Sequence, residues 1–279
     1  MIIIQWETQD LINFVEENFK TTIPEIHEAF NLLLPPTYQS QYQQHHYSPK
    51  VKNDKNQHLE FAKYLVLFIE GGLYTNPNLQ ITKPVDFWFD SDRPSLKFVT
   101  GITHDDNTGR VNKPIDRLRF GSHLIKSSQR HTILAEIIAE TVKNVFQRQL
   151  STINDGLTEF PAELRSYRYN DRCLPGGDPN RDVINDKMFT EVVLSYVNSL
   201  SNPTVLDLND DGLNRGFGGW KNLVGPERPY NSTLIDWKIM SGLKAPLVVN
   251  DLVFYPQVSF NKCNAGDDFK LQDWCYLEI

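Results

Sequence analysis

The chain holds 279 residues, with 28 Lys plus Arg against 35 Asp plus Glu and a formal net charge of −7. Hydrophobic residues make up 40% and charged residues 23%, ordinary usage for a packed globular protein, which excludes global disorder. An acidic balance without a dense Lys/Arg tract excludes the footprint that nucleic acid demands. Apolar runs such as Tyr64–Ile69 fall far short of the roughly 20 residues that span a bilayer, so no membrane segment is expected in this chain.

Met1–Trp6 lacks a basic flank and a small-residue cleavage site and is not read as a signal peptide. Leu11, Phe14, Val15 and Phe19 recur at helical spacing. After Pro24, well placed at a helix start, Ile26, Ala29, Phe30 and Leu33 continue the pattern until Pro35-Pro36 stops it. The polar stretch Thr37 to Gln57 has no period and reads as a connection. A buried helix is predicted from Leu59 to Glu70, ended by Gly71-Gly72, the residue type that tolerates a left-handed backbone, with a short strand at Leu73–Thr75.

Leu96–Ile102 alternates like a strand. The longest helix carries Ile133, Leu134, Ile137, Ile138, Val142, Val145 and Phe146 on one face, with Ser127-Ser128 as expected caps. From Ser151 to Asp186 the composition shifts to Asn, Asp, Gly, Pro and Arg, which predicts a surface insertion. A helix with Phe189, Val192, Val193, Tyr196 and Val197 follows, and Pro246–Tyr255 reads as strand, turn, strand. Helices interleaved with short strands argue an α/β fold, a mixed sheet flanked by helices, in a single domain over 1–279.

Chemistry-bearing residues are sparse. Cys173, Cys263 and Cys275 form no metal pattern; a Cys263–Cys275 disulfide and three free thiols both remain open. Asn231-Ser-Thr is a glycosylation sequon. Asp207–Gly212 imitates the opening of a calcium loop, but Gly218 stands at the twelfth position, so a solvated acidic turn is favoured. His104-Asp105-Asp106 reads as a polar loop or a metal site, and His131 as a packing or capping residue. Asn76-Pro77-Asn78 reads as a plain turn or as a weakened ligand site.

The segment His58–Asn78, a helix with Glu60 and Lys63, then Gly71-Gly72-Leu73-Tyr74 and the Asn76-Pro77-Asn78 triplet, followed by Ile81-Thr-Lys-Pro-Val-Asp86, resembles the DXD-type glycosyltransferase family of the fungal Golgi α-1,6-mannosyltransferases. That family carries an Arg-Ala-Asp-Phe-Phe-Arg-Tyr helix, then Gly-Gly-Ile-Tyr-x-Asp-x-Asp, then a segment like Leu-Lys-Pro-Leu-Asp. Phe98–Ile102, Arg119–Leu134, Phe189–Leu194 and Val249–Phe260 are similar, in order, to its later segments.

The resemblance implies a GT-A-like nucleotide-sugar transferase fold, lacking the family's usual first strand, with GDP-mannose as donor and a glycoprotein glycan as acceptor. It implies donor contacts at Lys63, Gly71, Gly72, Tyr74, Asn76 and Asn78, and a catalytic carboxylate at Asp105. The family's metal carboxylates correspond to Asn76 and Asn78, neutral amides that supply no negative charge, so a Mn²⁺ or Mg²⁺ cofactor is expected to be weak or lost. Impaired activity follows. The alternative is a degenerate paralogue that serves as a mannosyltransferase complex subunit or glycan-binding scaffold, and the Golgi lumen is the implied location if an anchor lies upstream.

Overall fold

The computed structural model describes residues 5–35, 37–38, 56–76, 80–81, 96–106, 117–154, 183–200, 204–207, 228–229, 237–259 and 277–278. They fall in two compact units, Met1–Leu65 with Glu136–Asn185, and Val66–Ala135 with Asp186–Ile279.

The first unit is helical. Helix α1 (Thr8–Phe19) buries Leu11, Phe14, Val15 and Phe19, and α2 (Pro24–Leu33) buries Ile26, Ala29, Phe30, Leu32 and Leu33, the stripes that the periodicity predicts. A reciprocal capping box between Glu7 and Asp10 starts α1. Helix α3 (Gln57–Glu70) begins in this unit with Phe61, Ala62, Tyr64 and Leu65 buried. Its start corrects the sequence reading twice: Leu59 is 40% exposed, and Gln57 is a buried helical residue whose amide accepts from Ile184 N–H at 3.0 Å and donates to Ile184 C=O at 3.3 Å. Asn144, on α4 (Thr132–Asn154), donates to Val183 C=O at 3.4 Å. The ends of the expected Ser151–Asp186 insertion are therefore ordered parts of the fold. Residues 151–154 finish α4, Val183 and Ile184 are buried, and Asp186 opens the next helix. Its middle, 155–182, lies outside the described residues.

The second unit is built on a seven-stranded sheet in the order β1–β4–β3–β8–β7–β5–β6. The strands are β1 (Gly72–Thr75), β3 (Phe98–Asp105), β4 (Leu118–Ser127), β5 (Thr204–Asp207), β6 (Arg228–Pro229), β7 (Leu247–Val249) and β8 (Leu252–Tyr255). β3 runs parallel to β8 and every other pairing is antiparallel, so the sheet is mixed. A separate two-stranded sheet joins β2 (Gln80–Ile81) to β9 (Leu277–Glu278). Phe98 to Ile102 are all buried, as are Leu252 to Tyr255, so the apparent alternation in β3 does not mark a wet face. Both central strands are covered on both sides.

Turn chemistry follows the residues. Gly71, at φ +67°, donates to Leu67 C=O at 2.9 Å and closes α3. Asn250, at φ 53°, makes the turn between β7 and β8 with Asp251. Helix α5 (Asp186–Ser199) buries Met188, Phe189, Val192, Val193 and Val197. Among the described residues no helix is long and apolar enough to cross a membrane.

The expected Ser127-Ser128 cap is replaced. Ser127 ends β4, and His131 caps α4 instead: its Nδ1 accepts from Ile133 N–H at 3.3 Å, and its carbonyl accepts from Leu134 and Ala135. The imidazole is buried, stacks on Phe98 with ring centroids 5.2 Å apart, and lies 3.4 Å through Nε2 from the Asp251 carboxylate. Nε2 thus faces the Asp251 carboxylate as a donor. Burial works to raise the Asp251 carboxyl, but the His131 hydrogen bond and charge, a bond to its own backbone and the charge of Lys97 outweigh it, and the net shift is downward. A depressed carboxyl stabilises the fold above its unfolded pKa of about 4, and that contribution is lost as pH falls through the folded value. The gap in melting temperature between the parent and Asp251→Asn is expected to be present at pH 7 and to shrink below about pH 4; a gap that does not change with pH in thermal scans would refute it.

Candidate functional site

The candidate residues in the second unit gather around β4. β1 pairs with it through Leu73 opposite Lys126, Tyr74 opposite Ile125 and Thr75 opposite Leu124. One residue further, Asn76 donates its N–H to His123 C=O at 2.8 Å. Gly72 is exposed, while Tyr74 and Asn76 are half-buried. Pro77 and Asn78 lie outside the described residues.

β4 is irregular where it meets this strand end. Its register with β3 runs from Val99 opposite Lys126 to Gly101 opposite Gly121, so Thr100 alone faces Ser122, His123, Leu124 and Ile125. A bulge of this kind leaves backbone donors without ladder partners and re-aims side chains. Helix α5 supplies the acceptors. Asp186 Oδ1 accepts from Ser122 N–H at 3.3 Å and from Ser122 Oγ–H at 3.1 Å, and Thr190 Oγ accepts from Phe120 N–H at 2.9 Å. Thr190 also donates to Asp186 C=O at 2.6 Å. Gly121 is crowded, because a Cβ there would lie 2.2 Å from Thr103 Cγ2 and 2.4 Å from His123 Cε1.

Asp105, the expected catalytic carboxylate, sits at the other end of β3, opposite Leu118. Its Oδ1 accepts from Ser241 Oγ–H at 2.7 Å and its Oδ2 from Gly242 N–H, so both oxygens serve the turn after the short 3-10 helix Trp237–Met240. β1 and β3 flank β4 on opposite sides, which separates their backbones by two inter-strand spacings, roughly 10 Å. Asn76 beside His123 and Asp105 beside Leu118 are further offset along β4 by on the order of 10–15 Å. A divalent cation holds its ligands within about 2.0–2.6 Å. Asn76 and Asp105 therefore do not fit one cation. Among the described residues no group of three or more His, Cys, Asp or Glu side chains converges.

Lys63 belongs to the first unit. It is buried on α3, its ammonium pairs with the Glu60 carboxylate one turn away and lies 5.0 Å over the Tyr64 ring centroid. His58, on the same helix, is buried and its pKa is lowered by that burial. The Ser122–Asp186 link is the feature that sequence reading missed. Its only local signal was Asp186 and Thr190 one helical turn apart at the start of an apolar helix.

Mixed strands with helices define the class, an α/β protein whose polar candidates lie on both sides of one bulged strand. The chain is a distant homologue of the fungal initiation-specific α-1,6-mannosyltransferases and of HOC1. It is 26% identical over 213 residues to "Initiation-specific alpha-1,6-mannosyltransferase" of Candida albicans, covering 72% of this chain and 46% of that protein. It is 22% identical over 262 residues to "Putative glycosyltransferase HOC1" of Saccharomyces cerevisiae, covering 93% of this chain and 51% of that protein. The Saccharomyces cerevisiae initiation-specific α-1,6-mannosyltransferase is 20% identical over 278 residues, 72% of this chain and 57% of its own length. The chain thus spans about half the length of the curated relatives it matches. No protein-family model and no solved structure matches it.

Proposed function

We propose that the chain is a glycosyltransferase of the α-1,6-mannosyltransferase kind, with a GT-A-like fold, that binds GDP-mannose and acts in mannosylation of protein N-glycans or mannan in the Golgi lumen, with impaired transfer. The 26% identity to the Candida albicans mannosyltransferase carries this reading. Gly71, Gly72, Tyr74, Asn76 and Asn78 are the donor-side residues in it, with Lys63 and Asp105 as the remaining candidates. Neutral amides at Asn76 and Asn78 supply no charge to hold Mn²⁺ or Mg²⁺, and the Asp105 oxygens are already engaged by Ser241 and Gly242. That engagement favours a second reading, a paralogue that keeps nucleotide or glycan binding and serves as a subunit of a mannosyltransferase complex.

Each missing carboxylate removes a Coulomb attraction to the cation on the order of a few kcal/mol at intermediate dielectric. The double variant Asn76→Asp with Asn78→Asp is therefore expected to bind Mn²⁺ at least about tenfold tighter than the parent by isothermal titration. Equal affinity would refute this placement of the triplet. The parent should bind GDP and release mannose from GDP-mannose slowly, with little dependence on Mn²⁺. Robust Mn²⁺-dependent transfer by the parent would refute the impairment, and GDP binding without any turnover would favour the subunit reading.

A further inference from the structure

We propose that Asp186 is a positioning residue for the diphosphate side of the donor site, acting through the β4 bulge on the strand end that carries Asn76. The inference rests on the donor-site reading above and extends it to a residue outside the triplet. The contacts form one chain. Asp186, on the first turn of α5, takes both the N–H and the hydroxyl of Ser122 on a single carboxylate oxygen. Ser122 opens the stretch of β4 that has left register with β3. The next residue, His123, supplies the carbonyl that receives the Asn76 N–H.

Three features make the bulge depend on this support. Ser122 is only 9% exposed, so losing the Asp186 oxygen removes, in a largely dry environment, an acceptor that serves both its N–H and its hydroxyl, which costs free energy. Thr100 Oγ–H donates to Gly121 C=O at 3.0 Å and pins the near edge of the bulge to β3. The His123 ring and the Thr103 methyl pack over the Gly121 backbone, within 2.4 and 2.2 Å of where a Cβ would stand, so both side chains would have to move to admit a larger residue. The β4 bulge is thus held by Thr100 of β3 at Gly121 and by Asp186 at Ser122. Without Asp186, the Ser122–His123 backbone, beyond the last β1–β4 pair at Thr75 and Leu124, can shift, and the Asn76 backbone moves with its acceptor. Misplacement of a binding group by about 1 Å is enough to lose much of its effect.

The test compares Asp186→Ala, Asp186→Asn and Ile138→Val, the last a core truncation that lowers stability elsewhere, by amide exchange and by calorimetry with GDP. Asp186→Ala is expected to speed exchange of the Asn76 amide at least about tenfold relative to the slowest amides of β3 and to weaken GDP binding at least about tenfold. Asp186→Asn keeps an acceptor oxygen and should restore both. Ile138→Val should change neither ratio. Ser122→Ala, which removes the hydroxyl bond and keeps the N–H bond, should shift both in the same direction by less, and serves if Asp186→Ala does not fold. Unchanged Asn76 exchange in Asp186→Ala and Ser122→Ala overturns the inference, as does faster exchange with parental GDP affinity. Faster exchange in a chain whose parent binds no GDP upholds the mechanical link and refutes the donor reading instead.

Discussion

Phe98→Ala is expected to destabilise the protein by about 3–5 kcal/mol, the range for deleting a fully buried aromatic side chain. Phe98 is 0% exposed and begins β3, paired with Leu252 on one side and Ser127 on the other. Its ring lies against His131 at 5.2 Å, and His131 in turn contacts Tyr196 of α5 at 5.9 Å and the Asp251 carboxylate. Removing the ring leaves a cavity beside a histidine that caps α4 and anchors the β7–β8 turn, so packing and capping losses add. The site also has little freedom to collapse, because the Lys97 and Phe98 N–H groups both donate to Asp251 C=O, at 2.8 and 3.1 Å. Urea unfolding measures the loss, and Phe98→Leu should recover more than half of it by refilling most of the space. A cost below about 1 kcal/mol for the alanine variant would be incompatible with a closed core at this point.

Gly71→Ala is expected to cost about 2–4 kcal/mol, from two sources that act together. Gly71 has φ +67°, where an L side chain adds roughly 1 kcal/mol or more of steric cost. A Cβ there would also sit 2.9 Å from Gln129 N and 3.1 Å from Ser127 O. Both are backbone atoms at the end of β4, so they cannot swing aside as a side-chain tip would. Relief requires moving β4 or the α3 cap, and the cap is shared, since Arg130 N–H donates to Phe68 C=O at 2.7 Å beside it. Thermal unfolding of Gly71→Ala against the parent checks this, and a shift of less than about 2 °C would show that the close approach is not rigid. In the donor reading Gly71 acts through this geometry, by setting where β1 begins.

Local order was legible from single residues. The apolar stripes of α1, α2, α4 and α5 repeat at 3.6-residue spacing, and the stops at Pro35 and Gly71 follow from backbone chemistry that each residue carries with it. Asn250-Asp251 between two apolar triplets marked the hairpin in the same way. The family resemblance also came from short collinear segments, which is why it survives at 20–26% identity. Caps and sites were less legible. Ser127 and Ser128 are ordinary capping residues by type, yet His131, read from the sequence as a packing or capping residue, does both, and what fixes its ring is Phe98 and Asp251, 33 and 120 residues away in sequence.

By itself the sequence determined the apolar stripes of the helices, the strands β1, β7 and β8 and the start of β3, where several of these elements stop, and that Asn76 and Asn78 bring no charge to a position where relatives of this kind are expected to carry carboxylates; it did not reveal β4 or β5. Only the tertiary structure decided that β3 runs parallel to β8, that β4 leaves register beside Asn76, that Asp186 reaches across 64 residues to Ser122, and that Asp105 spends both oxygens on Ser241 and Gly242. The reason is range. Propensity and periodicity are properties of neighbouring residues, whereas strand order, bulges and the pairing of buried polar groups depend on which distant segment is there to supply the missing acceptor.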